Sequence, residues 1–277
     1  MKLSAWVSTS DLLNKKESGF GEFIFKRFIK QSIFTKYNSR SVLLSLKKQG
    51  VNGIELLVSS NTEDKDVREI KKILKELNMQ TFSVHQSVSR LFGINIKEIS
   101  NLFEIASELS AEVVVLHLSV VGSKIFDKDY VKALKNLEHK YKIRIGVENS
   151  PLNPLWLLRT YSWREKEFCK VINDTQFHIT FDVTHLAQTK KDIVGFYMNN
   201  KDKIVNIHLS DYKRSFLNNP LMLTTGTHLP LGKGALPMKE FLKVLKDNKY
   251  NGVITMEING DLRGLCDSAK FISKYLK

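Results

Sequence analysis

The stretch ITFDVTHL, residues 179–186, mixes core residues with reactive ones. Ile179, Phe181 and Val183 suit a buried strand, but Asp182 and His185 interrupt the run where the chain must turn. A buried carboxylate is costly unless it is paired, hydrogen-bonded or bound to a cation. One strand ending this way has an ordinary explanation, a hydrogen-bonded core residue. Whether Asp182 and His185 carry chemistry therefore depends on how the other strands end.

Seven further runs have strand length and apolar character: LSAWVS (3–8), GIELLV (53–58), TFSVH (81–85), EVVVLHL (112–118), IRIGVE (143–148), IVNIHL (204–209) and GVITMEI (252–258). With FHITFD (177–182) they make eight. Between them the apolar period becomes helical, as in Val67, Ile70, Leu74 and Leu77, in Ile99, Leu102, Phe103, Ala106 and Leu109, and in Met238, Phe241, Leu242 and Leu245. Runs of Val and Ile without strict alternation suit parallel strands buried on both faces. KKQGVNGIEL and KDNKYNGVITMEI share a helix end, a turn containing Asn-Gly, and a strand. Eight strand–helix units in a chain of this length predict a (β/α)8 TIM barrel, an α/β fold in one domain over residues 1–277. The alternative, a doubly wound open sheet, would more often carry a Gly-rich phosphate loop after its first strand, and STSDLLNKKES is not one.

With 277 residues and 42% hydrophobic content the chain can bury one large core. Its apolar runs fall short of the roughly 20 residues that span a bilayer, and MKLSAWVSTS is too short in apolar length for a signal peptide. Cys169 and Cys266 form no CxxC pair, which favours a reducing, cytoplasmic setting and argues against a disulfide framework. The formal charge of +14 draws anionic partners, either phosphorylated metabolites or nucleic acid.

In a barrel of this kind the active site lies at the C-terminal ends of the strands. Strand 3 ends at His85, strand 4 at His117, strand 5 at Glu148 and strand 6 at Asp182, followed by His185. Strand 7 ends at His208 with Asp211 just beyond, and strand 8 at Glu257. Six consecutive strands thus finish on metal-ligand residue types. Carboxylates clustered at one mouth call for a cation. Glu148, Asp182, His208 and Glu257 form a hard, mostly oxygen set suited to Mn²⁺, Mg²⁺, Co²⁺ or Zn²⁺. His85 and His117 add nitrogen beside Glu148 and could serve a second ion, for which zinc is the better match. His139 and His178, on a helix and early in a strand, are read as structural.

The ordered series GVNGIEL, SVHQS, VVVLHLS, IGVENSP, FDVTHL, IHLSDY, HLPLGKG and ITMEI resembles the xylose isomerase-like barrel superfamily over nearly the whole chain. That superfamily includes sugar phosphate isomerases/epimerases and endonuclease IV. The epimerase branch implies that Glu148, Asp182, His208 and Glu257 hold one divalent ion while Glu148 and Glu257 move protons on opposite faces of the substrate. The endonuclease IV branch implies a trinuclear zinc site that adds His85, His117, His185 and His228. It also uses an aspartate two residues before His228, where this chain has Gly226. The third position is then weak or empty, and the expectation is one to two ions per chain.

One segment points the other way. Between Lys15 and Arg40 lie seven Lys or Arg and two Glu, interleaved with Phe20, Phe23, Phe25, Phe28, Phe34 and Tyr37. This basic and aromatic insertion, at about 11–40 after strand 1, could grip a phosphate backbone and stack on bases, or serve as a lid or subunit contact. The expected function is a divalent-metal-dependent sugar or sugar-phosphate isomerase/epimerase working by proton transfer through a metal-stabilised enediolate. Catalysis would rest on Glu148 and Glu257, and substrate binding on Lys233, Asp211 and Trp156. The alternatives are an endonuclease IV-like phosphodiesterase on abasic DNA and a metal-retaining binding protein without turnover. A sugar or sugar phosphate is the expected partner, with nucleic acid and self-association as secondary ones and no membrane.

Overall fold

Parallel strands cannot be joined by a tight turn, so each must pass through a crossover, usually a helix. The computed structural model describes residues 2–15, 37–59, 61–87, 95–118, 124–150, 164–213 and 226–276. Its strands are β1 (Lys2–Ser8), β2 (Gly53–Leu57), β3 (Gln80–His85), β4 (Val113–Leu116), β5 (Arg144–Glu148), β6 (His178–Asp182), β7 (Ile204–Leu209) and β8 (Val253–Met256). Each pairs in parallel with the next and β8 pairs with β1, closing the barrel. The described helices are α1 (Thr9–Leu12), α2 (Ser39–Lys47), α3 (Asp64–Glu76), α4 (Ile96–Glu108) and α5 (Lys128–Tyr141), then α6 (Glu165–Thr175), α7 (Val183–Gln188), α8 (Ile193–Asn200), α9 (Met238–Asp247) and α10 (Leu262–Leu276). All eight expected strands are present, and the periodic helical positions Val67, Ile70, Ile99, Leu102, Met238 and Phe241 are buried.

Local chemistry starts these helices where the sequence supplies a cap. Asn95 and Glu98 form a reciprocal capping box on α4, and Glu63 and Asp66 do the same on α3. Asp127 accepts from the backbone N–H groups of Asp129 and Tyr130 at the start of α5. Helix ends are marked by left-handed residues: Gly50, Asn78, Ser110, Lys142, Gln176 and Lys249 each follow a helix with φ between +49° and +93°. The Asn-Gly pairs that look like turns in the sequence are not the turning residues. Asn52 Oδ1 instead accepts from the Leu3 N–H at 2.9 Å, and a Cβ on Gly53 would stand 2.5 Å from the Phe82 ring. Gly53 is therefore a close-packing position at the start of β2.

Both faces of the strands are buried, but they differ. Ile54, Leu56, Val84, Val114, Ile145, Val147, Ile179, Phe181, Ile207 and Ile254 belong to the main apolar cluster shared with the helices. Positions of the other parity include Glu55, Ser83, Asn206 and Thr255, which bond to one another across the barrel. Between β2, β3, β7 and β8 the interior below the mouth is therefore polar, while Val113 and Val115 on β4 form a separate small apolar cluster.

Most of the 11–40 insertion lies outside the described residues. At its edges α1 is buried and Lys15 pairs with Asp66 on α3. Cys169 and Cys266 are free, half-buried thiols. No helix among the described residues is long and apolar enough to cross a membrane.

Phe181 is fully buried between the barrel and its helices, with ring centroids 4.7 Å from Phe196 on α8 and 6.1 Å from Phe241 on α9. Phe181→Ala should cost about 3–5 kcal/mol in equilibrium urea unfolding, from lost burial and the cavity left behind. Leu44→Ala, at a position 46% exposed, should stay within about 0.5 kcal/mol.

Candidate metal centre

The Asp-x-x-His at the end of β6 resolves into two tasks for one carboxylate. Asp182 is the N-cap of α7, and its Oδ1 accepts from the His185 N–H at 2.6 Å. Its Oδ2 is buried with no hydrogen-bond partner among the described residues, 3.6 Å from His185 Nδ1 and 4.0 Å from His208 Nδ1. One oxygen starts the helix; the other faces the barrel mouth.

Glu148, at the end of β5, is the hub of that mouth. Its Oε2 lies 3.1 Å from His85 Nε2 and 3.3 Å from His117 Nε2. Its Oε1 lies 3.3 Å from His185 Nδ1 and 3.5 Å from His208 Nδ1. Glu257, just past β8, brings Oε2 to 2.9 Å from the same His208 Nδ1. Barrel closure therefore places β3, β4, β5, β6, β7 and β8 around one buried centre. His228 joins from the loop before α9, its ring edge-on to His185 with centroids 5.4 Å apart.

Several imidazoles are oriented by backbone carbonyls. Since a carbonyl only accepts, Nδ1–H donates to Gln86 O from His85 (2.6 Å), to Asn149 O from His185 (2.9 Å) and to Glu257 O from His228 (3.1 Å). Gln86 Oε1 also accepts from the His117 N–H, and the Asn149 side chain makes two bonds to the Asp182 backbone. Gln86 and Asn149 directly follow the strand-end residues His85 and Glu148, a signal visible in HQS and ENS that the strand-end pattern passed over.

The electrostatics follow from burial and crowding. Burial would raise the Glu148 carboxyl, but the His117 and His208 charges and bonds to His185 and His208 hold it well below the usual range. Burial, joined by the Glu257 and Glu148 charges, pushes Asp182 up to about 6. Burial disfavours charge on His185, yet Asp182 and Glu148 outweigh it and raise the ring to about 9. His208 is likewise raised well above its ordinary value, against burial, by Glu55 and Glu148. His117, where burial dominates, falls to about 4. The carboxylates are thus compensated by imidazolium protons that a divalent cation would release on binding.

The donor set fits such a cation. Ligand atoms of Glu148, Asp182, His208 and Glu257 lie within 4.8 Å of one another, as do those of His85, His117 and Glu148, and those of Asp182, His185 and His228. Asp182 Oδ2 and His117 Nε2 are buried without hydrogen-bond partners among the described residues, and His208 Nδ1 faces only carboxylate oxygens, an arrangement that is costly in the absence of an electrophile. A fourth group, Glu55, His85 and His208, includes a residue that sequence reasoning missed because Glu55 lies mid-strand and not at a strand end.

The remaining candidates separate. His139 is exposed on α5, and His178 lies 3.9 Å from Glu138, both away from the mouth. Lys233 is exposed on the loop that carries His228. Asp211 is not presented to a substrate: its two oxygens accept from the N–H groups of Tyr212, Gly232, Gly234 and Leu236. Its adjacency to strand 7 suggested a substrate contact, whereas its bonds make it the anchor of the 232–236 loop. Gly226 has φ +87°, and a Cβ there would meet Lys213 O at 2.1 Å, so an aspartate at this position would displace backbone. Trp156 lies outside the described residues.

Comparison with known proteins agrees with this architecture. The family model of the xylose isomerase-like TIM barrel matches residues 43–275. An uncharacterised protein of Methanocaldococcus jannaschii is 29% identical over 199 residues, covering 68% of this chain and 64% of that protein's length. A D-tagatose 3-epimerase-like protein of known structure superposes with a TM-score of 0.67 at 20% identity, covering 100% of this chain and 97% of that one. The IolI protein, solved with a bound zinc atom, superposes with a TM-score of 0.65 at 16% identity, covering 99% of both chains. At these identities the two structures speak for the fold alone. From the family match over most of its length, the chain belongs to the xylose isomerase-like TIM barrel family.

Proposed function

We propose that this protein is a divalent-metal-dependent isomerase or epimerase of a sugar or sugar phosphate. The observation that carries the proposal is the convergence of Glu148, Asp182, His208 and Glu257 at the C-terminal mouth, with Asp182 Oδ2 buried without a hydrogen-bond partner among the described residues and His208 Nδ1 turned to the carboxylates. These four residues would hold the ion, and His85, His117 and Glu148 a second. When bound, a divalent ion supplies a Lewis acid that polarises a substrate carbonyl and makes the adjacent C–H acidic. Glu148 and Glu257, from β5 and beyond β8, lie 3.5 Å and 2.9 Å from one imidazole nitrogen and would flank a sugar lying over it. One removes the proton from carbon; the other returns it to the neighbouring carbon or to the opposite face. Lys233, exposed on the loop that carries His228, would be the cation that meets a phosphate on the substrate.

The runner-up is a phosphodiesterase of the endonuclease IV type, favoured by the His85–His117–Glu148 grouping and the charge of +14. Gly226 weighs against it. The carboxylate that a third zinc would need has no room at that position. Surface charge carries less weight, since it acts on encounter and not on the chemical step.

Elemental analysis of protein purified without chelator should find one to two divalent ions per chain, with anomalous scattering locating any second ion at His85, His117 and Glu148. Asp182→Ala and His208→Ala should lose most of the metal, and His139→Ala should keep it. Wild-type protein that holds no ion after reconstitution, or three ions at full occupancy, would contradict this assignment.

Metal-loaded protein should exchange solvent deuterium into a keto- or aldo-sugar, and Glu257→Gln should reduce the exchange by at least about 100-fold, as expected for loss of an acid/base group. Nicking of abasic duplex DNA should not exceed that of the Glu148→Gln, Glu257→Gln double variant. Robust metal-dependent nicking lost in that double variant would replace the isomerase reading with DNA repair.

A further inference from the structure

Glu55 stands apart from the strand-end ring. It lies in the middle of β2, is fully buried, and points into the barrel below the mouth. Its Oε2 accepts from Ser83 Oγ on β3 at 2.6 Å, from Asn206 Nδ2 on β7 at 2.7 Å and from Thr255 Oγ1 on β8 at 3.4 Å. Thr255 Oγ1 has one proton for two acceptors, Glu55 Oε2 and the nearer Asn206 Oδ1 at 3.1 Å, and the second contact orients that amide. Three strands thus hold one oxygen of Glu55. The other, Oε1, faces His208 Nε2 at 2.8 Å.

This arrangement is the reverse of that around the other imidazoles. His85, His185 and His228 each give Nδ1–H to a backbone carbonyl. His208 turns Nδ1 toward Glu257, Glu148 and Asp182, at 2.9, 3.5 and 4.0 Å, and Nε2 toward a carboxylate. The Asn206 amide also lies 3.3 Å from Nε2, but the Glu55 carboxylate, closer at 2.8 Å and charged, outweighs it, favours the tautomer protonated at Nε2 and leaves the Nδ1 lone pair directed at the other three ligands. It also makes the imidazole a stronger donor than a carbonyl partner would. A residue with only a packing role would not need a charge at the centre of the barrel, nor three polar neighbours to satisfy it.

We infer that Glu55 is a positioning residue for the metal centre, fixing the orientation and tautomer of His208 through Nε2 so that Nδ1 completes the site with Glu148, Asp182 and Glu257. The inference rests on the proposed metal reading but not on the identity of the reaction. Ser83, Asn206 and Thr255 serve it at one remove, by fixing the carboxylate.

The test is calorimetric titration of Mn²⁺ into the stripped full-length chain, together with ¹⁵N NMR of the histidines in the Zn²⁺-loaded protein. Glu55→Gln should weaken Mn²⁺ binding by about 10–100-fold, the range for loss of an outer-shell partner. In the wild type His208 should be protonated at Nε2 and coordinated through Nδ1, and in Glu55→Gln that signature should broaden or shift. If Glu55→Gln does not fold, Ser83→Ala, which touches no ligand, should weaken binding in the same direction by a smaller factor. Wild-type affinity in whichever variant folds, or a His208 protonated at Nδ1 in the loaded wild type, would overturn the role of Glu55 while leaving the metal reading standing. A wild-type chain that takes up no Mn²⁺ would overturn both.

Discussion

The carboxylate of Glu148 is the interaction on which the upper half of this barrel depends. Four imidazoles, from β3, the end of β4, α7 and β7, lie within 3.5 Å of its two oxygens. A carboxylate this buried is tolerable only because those rings compensate its charge, and a ring is raised where a second carboxylate also faces it, as Asp182 does His185 and Glu55 does His208, whereas burial dominates at His117. Two states of charge fit the same geometry, one with imidazolium protons and one with a divalent cation in their place. Exchange between them would make metal uptake and proton release the same event.

Beneath His208, between β2, β3, β7 and β8, the barrel departs from the usual filling of bulky aliphatic residues. The outward parity of the strands is apolar and shared with the helices, as Phe181 shows against Phe196 and Phe241. The inward parity carries Glu55, Ser83, Asn206 and Thr255 in one bonded network. This layer connects β2, β3, β7 and β8 directly under His208. Site residues carried on strands with such support are held more rigidly than residues on loops, as the proposed proton transfer between fixed carboxylates would require. His228 and Lys233, by contrast, belong to a loop whose shape comes from Asp211 and its four backbone donors.

The sequence by itself determined the barrel and the outline of its mouth. Eight apolar runs separated by helical periodicity leave few other parallel arrangements, and a strand's C-terminal end lies at the mouth whatever its length. Glu148, Asp182, His208 and Glu257 were therefore legible as a group before any distance was known. Gln86 and Asn149 were within reach, since each follows a strand-end residue, but their roles depend on which neighbouring backbone their amides meet. Other local signals pointed the wrong way. Asn52-Gly53 resembles a turn, yet Gly53 is required by the Phe82 ring. Asp211 sits next to the mouth in sequence, yet its carboxylate turns to the backbone of a loop more than 20 residues further on.

Only the tertiary structure decided the role of Glu55. In GIELL it is one polar residue in an apolar run, and strand periodicity can say which face it takes but not what lies across the barrel. Closure joins β8 to β1 and brings Glu55 against Asn206, 151 positions away, and against His208 on the same strand. The physical reason is one of range. Propensity and periodicity act over neighbours along the chain, whereas a buried charge is satisfied by whatever groups the closed barrel places within about 3 Å of it.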